Sequence, residues 1–144
     1  MRFVLFVEGF TENKALPQFL KKWLDPKLTN PIGIKTVRFN GWPELIKDAP
    51  LKAKMHLNGP DKNEIIAVIS LLDLYGPTFY PGDLKESKER YDWAKKEIES
   101  KVNQSKFFQF FAVHEVEAWL LSDPEIFPVD IKNAFPKKLA LQKR

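Results

Sequence analysis

Ile65-Ile66-Ala67-Val68-Ile69-Ser70-Leu71-Leu72 decides the fold. An apolar run broken by a single hydroxyl, with no polar alternation, reads as a strand buried on both faces, which is the habit of a parallel sheet covered by helices. Asp73 ends it. Phe3-Val4-Leu5-Phe6-Val7 has the same character and is ended by Glu8. Phe107 to Val113 repeats the pattern and is ended by His114-Glu115. Ile34 to Phe39 is half polar and belongs nearer a sheet edge. Between these strands the period changes. Ala15, Leu16, Phe19, Leu20, Trp23 and Leu24 form one apolar helical stripe, with Thr11 or Asn13 as the expected cap and Asp25-Pro26 as the stop. Pro17 is expected to disturb its early turns. Asn40-Gly41-Trp42-Pro43 reads as a turn, with Pro43 opening a short helix to about Lys54. Asp83 to Val102 reads as a charged helix whose apolar side is Leu84, Tyr91, Ala94, Ile98 and Val102.

Strands alternating with helices predict a single-domain α/β fold with a mainly parallel central sheet of four strands, flanked by helices on both faces. The chain of 144 residues has room for one core, and no internal repeat, low-complexity stretch or linker divides it. At 44% hydrophobic and 29% charged it has the composition of a globular protein. Cysteine is absent, which excludes disulfides, thiolate metal sites and cysteine nucleophiles and suits a cytoplasmic location. The apolar runs are too short for a membrane span, and Phe3–Val7 is too short for a signal-peptide core. With only His56 and His114, a three-histidine zinc site is impossible. No P-loop or glycine-triplet fingerprint is present.

The charge is unevenly placed. The formal net charge is +4, yet Lys132, Lys137, Lys138, Lys143 and Arg144 follow the last acid, Asp130. Without those five the remainder holds 18 basic and 19 acidic residues, so the basicity belongs to the tail.

Glu8, Asp73 and Glu115 all stand at strand ends. In a parallel sheet those ends share one edge, the edge where α/β proteins place ligands. Carboxylates converging there repel unless a cation holds them, and oxygen ligands select Mg²⁺, Mn²⁺ or Ca²⁺. Glu12, one helical turn beyond Glu8, and Glu117 are close enough in sequence to join. The plain alternative for each acid is a chain that has simply reached water.

Phe6-Val7-Glu8-Gly9-Phe10-Thr11-Glu12 resembles the strand–Glu–Gly–x–Thr–Glu opening of TOPRIM-like domains, the metal-binding catalytic domains of topoisomerases, primases and overcoming-lysogenization-defect nucleases. Leu72-Asp73-Leu74-Tyr75-Gly76 stands where such domains carry an Asp-x-Asp pair, with Tyr75 in place of the second acid. His114-Glu115-Val116-Glu117-Ala118-Trp119-Leu120-Leu121-Ser122-Asp123-Pro124-Glu125 looks like the signature of an uncharacterised bacterial and archaeal branch. The similarity spans residues 1 to about 128 and implies a Rossmann-like TOPRIM domain there, followed by a basic tail, 129–144, that reads as the start of a further segment or as a solvated end.

By this resemblance, Glu8 and Asp73 would be catalytic. Glu8, Glu12, Asp73, Glu115 and Glu117 would hold one or two Mg²⁺ or Mn²⁺ ions, and Gly9 and Thr11 would meet a phosphate, Gly9 through a tight turn. The implied activity is a metal-dependent nuclease or related phosphodiester-cleaving enzyme acting on nucleic acid, in a defence system beside an ATPase partner. The alternative is a catalytically inactive TOPRIM-like binding or regulatory module. Candidates for substrate contact are His114, Tyr75, Lys137 and Lys138. Tyr75, Phe79 and Tyr80 either stack on bases or, as aromatics more often do, anchor a loop on the core. His114 is equally readable as a strand-end histidine bonded to the backbone, and the lysines as a solvated tail.

Overall fold

A computed structural model describes residues 1–113. The apolar runs are strands: β1 (Arg2–Val7), β2 (Gly33–Arg38), β3 (Ile65–Asp73) and β4 (Phe107–Ala112). They form one sheet in the order β2-β1-β3-β4, and every pairing is parallel. The two most apolar runs are therefore central, and the half-polar β2 lies at an edge. One extra residue, Ile66, bulges where Arg2 pairs Ile65 and Phe3 pairs Ala67. Three helices, α1 (Phe10–Leu24), α2 (Trp42–Leu57) and α3 (Ser87–Val102), flank the sheet in an α/β fold.

Side-chain parity divides the core. Val4 and Phe6 of β1, Val68 and Leu72 of β3, and Phe107 and Phe111 of β4 pack on α2 and α3 through Leu45, Ala49, Ala53, Ala94, Ile98 and Val102. Leu5, Val7, Leu71 and Ala112 face the other way and meet Ala15 and Leu16 of α1. Burying each large side chain contributes roughly 1.5–3 kcal/mol, which explains why these strands carry no alternation. Buried alanines at i, i+4 on α2 let its backbone lie close to the sheet.

Three local expectations are corrected. Gly9, not Thr11 or Asn13, is the N-cap of α1, and no side chain caps it. Pro17 does not interrupt the helix, because Ala15 and Leu16 are fully buried against the sheet and tertiary packing outweighs the one backbone bond a proline removes. The third helix begins at Ser87 rather than Asp83. The Arg90 guanidinium donates to the Leu84 carbonyl at 2.8 Å, which holds that preceding turn outside the helix. Asn103, in the left-handed conformation at φ 53°, closes α3.

The outer edge of β4 is occupied. Lys106 and Ala112 carbonyls face β3, so the backbone of Gln109 points away from it. Glu99 of α3 accepts the Gln109 N–H at 2.9 Å, and Lys95 donates to the Gln109 carbonyl at 3.0 Å. Lys95 and Glu99 are themselves paired at 2.6 Å. Among the described residues, no helix is long and apolar enough to cross a membrane.

Candidate functional site

From β1 the chain passes to one side of the sheet, and from β3 to the other. α1 leaves β1 over one face while α3 leaves β3 over the opposite face, so the topological switch point, where open α/β sheets bind ligands, falls between the carboxyl ends of the two central strands. Glu8 directly follows β1, and Asp73 is the last residue of β3. Both are half-buried. Neighbouring strands lie about 4.8 Å apart, so the topology brings these two predicted residues to one place.

Each is held through its backbone. The Phe39 N–H donates to the Val7 carbonyl at 2.9 Å, and the Gly41 N–H donates to the Glu8 carbonyl at 3.1 Å. Gly41 has φ +90°, a conformation that favours glycine, so only this residue type lets the turn before α2 reach Glu8. The Asn40 N–H is bound by the Glu44 carboxylate at 3.1 Å, which steadies the same turn. Gly41 is the positioning residue that sequence reasoning missed; its signal was the Asn-Gly-Trp-Pro turn. Asp73 lies opposite Ala112 in register, and the Leu74 N–H donates to the Ala112 carbonyl at 2.9 Å. The Leu74 carbonyl in turn accepts the Tyr80 hydroxyl.

The first turn of α1 opens beside Glu8. The Asn13 N–H is the first to find an intrahelical acceptor, the Gly9 carbonyl, so the amides of Phe10, Thr11 and Glu12 have none within the helix. That end carries the positive pole of the helix, which suits a phosphate. Gly9 itself is extended, at φ −132° and ψ 169°, so the tight turn expected of it is absent and its place does not need glycine's freedom.

The loop after Asp73 is anchored. Phe79 stacks on Trp42 with centroids 5.9 Å apart and meets Trp93 at 5.3 Å, and Tyr80 lies 4.8 Å from Phe79. Burial pushes the Tyr80 phenol up to about 12, against the pull of the Arg90 guanidinium beside its ring. Phe79 and Tyr80 therefore pack on the core. Tyr75 is 59% exposed and its hydroxyl meets that of Ser87.

Glu12 lies in the first turn of α1, and His114, Glu115, Glu117, Lys137 and Lys138 lie outside the described residues. Among the described residues, no group of three or more acidic or histidine side chains is placed to hold a metal ion. What they offer is the pair Glu8 and Asp73. Mg²⁺ is commonly held by one or two carboxylates and completes its shell with water and phosphate oxygens, so the donor set fits that ion.

A family described as "Domain of unknown function (DUF4276)" matches residues 7–143. No curated protein and no solved structure matches the chain.

Proposed function

The chain belongs to the DUF4276 family, and we propose, from the placing of its strand-end acids, that it is a TOPRIM-like, metal-dependent nuclease or related phosphodiester-cleaving enzyme. The observation that supports this reading is that Glu8 and Asp73 stand at the carboxyl ends of the two central, adjacent parallel strands. Glu8 and Asp73 would hold Mg²⁺ or Mn²⁺ between them, with Glu12, Glu115 and Glu117 completing a one- or two-ion site. The ion would supply Lewis acidity to the phosphate and lower the pKa of water at the site.

The protein's own groups would do the rest. The Gly41 bond to the Glu8 carbonyl and the Leu74–Ala112 bond fix the backbone beside each acid, which would order the site before substrate arrives. The α1 N-terminus, with Gly9 and Thr11, would meet a phosphate oxygen through backbone N–H groups. Glu8 would accept a proton from the attacking water. An ATPase partner and a cytoplasmic setting belong to the same proposal.

The test is cleavage of labelled DNA and RNA with and without Mn²⁺, beside Glu8→Ala and Asp73→Ala. Cleavage should require metal and fall at least about 100-fold in either variant, the scale of removing a principal catalytic group. Mn²⁺ should also raise the thermal midpoint of the wild type but not of the variants. Cleavage that survives Glu8→Ala would overturn the assignment. Tyr75, bonded to Ser87 where a second acid would stand, favours a second reading, a binding or regulatory module. That module would show the Mn²⁺-dependent midpoint without cleavage.

A further inference from the structure

The border where β2 meets α2 carries a second charged feature. Val37 packs into the α2–α3 side of the core and Ile34 into the α1 side, so strand parity puts Lys35 on the α2 face. Lys35 is opposite Val4 in register, and Arg2 is opposite Gly33, two residues below. Lys52 and His56, one turn apart on α2, flank its buried stripe of Leu45, Ala49 and Ala53 and are half-buried. The His56 ring lies 6.1 Å from that of Phe6, whose neighbour on β2 is Val37. Arg2, Lys35, Lys52 and His56 are thereby gathered on one border.

Their counter-charges are few. Asp61 takes Arg2 at 3.3 Å, Glu64 takes the N-terminal amine at 3.4 Å, and Asp48 lies one turn before Lys52 on α2. Among the described residues, neither Lys35 nor Lys52 enters an ion pair. The imidazole of His56 senses the imbalance. Burial first, then Lys35, Lys52 and Arg2, hold its pKa below the ordinary histidine value.

We propose that this border, with Lys35 and Lys52 at its centre, binds the phosphate backbone of a nucleic-acid strand. The choice of ligand rests on the phosphodiester reading; the positive border does not. β2 spans about 20 Å, and the turn that ends it donates the Gly41 N–H to Glu8, so a strand laid along this border arrives at the carboxyl edge. Phosphates neutralised by lysines release condensed counterions, which makes such binding steeply salt-dependent.

The experiment uses the full 144-residue chain in EDTA, so that cleavage plays no part. Binding of labelled single-stranded DNA, duplex DNA and single-stranded RNA is followed by anisotropy across a salt series. The wild type should bind at least one of them. The double variant Lys35→Ala/Lys52→Ala should bind about tenfold or more weakly at low salt, with the log–log salt slope reduced by about 1–2. Lys35→Arg/Lys52→Arg, which keeps the charge, should bind as the wild type does. Unchanged affinity and slope in the alanine variant, or no binding of any of the three probes by the wild type, would overturn the proposal. Retained binding alongside absent cleavage would overturn the nuclease reading, and alongside metal-independent cleavage its metal dependence, and either would leave this surface standing.

Discussion

Ser70 sits near the centre of β3, fully buried, with no hydrogen-bond partner for its hydroxyl among the described residues. Its register partner is Gln109, whose side-chain oxygen is also buried and, among the described residues, unpaired, while its amide donates to the Phe110 carbonyl. Two unpaired polar atoms facing the same core layer cost about 1–3 kcal/mol each in lost hydration. Ser70→Ala is therefore expected to be at least as stable as the wild type, with a gain of up to about 1 kcal/mol in urea unfolding. A loss of that size would mean that a buried water joins Ser70 to Gln109. Residue-scale facts of this kind were the least legible in the sequence. Ser70 and Gln109 read as single polar interruptions in apolar runs, and nothing local said that they would be neighbours. Gly41 reads as a turn glycine; that its amide would bind Glu8 depends on β2 lying beside β1, a through-space relation.

At the scale of elements, the strands were legible because burial on both faces leaves no room for polar side chains, so β1, β3 and β4 announced their extent to within a residue, and the half-polar β2 its place nearer an edge. Helix ends were not. The start of α3 depends on where Arg90 finds a carbonyl, and the continuity of α1 through Pro17 depends on what Ala15 and Leu16 pack against. The candidate site was legible as two strand-end acids, Glu8 and Asp73, because parallel topology converts sequence position into a shared edge. The lock between α3 and β4 escaped notice, since Lys95 and Glu99 look like an ordinary surface pair spaced for a helix turn. Because Glu99 holds an edge amide as well as Lys95, Glu99→Ala should cost about 1–2 kcal/mol, above the few tenths of an exposed pair. Urea denaturation measures it, and a change below about 0.5 kcal/mol would show that water serves the Gln109 amide equally well.

For the molecule as a whole, the net charge of +4 conceals a basic stretch of sequence beyond Asp130 and a basic β2–α2 border among the described residues. The second has a consequence for stability. His56 is shifted down in the folded state, so the unfolded chain takes up its proton first as the solution is acidified. Its contribution is present above the unfolded value of about 6.5 and is lost as pH falls below it. Between about pH 7 and pH 5 the wild type should lose more of its thermal midpoint than His56→Gln, and parallel losses in the two proteins would remove His56 from the account.

The aromatic anchoring of the loop after Asp73 bears on how fast anything can dock there. Trp42, Phe79, Tyr80 and Trp93 fix that loop to two helices and to the Leu74 carbonyl during folding itself. The conformational entropy of ordering it has been surrendered before any encounter occurs. A ligand approaching along this wall thus meets a stationary surface, and association there proceeds as a collision without a waiting step for closure.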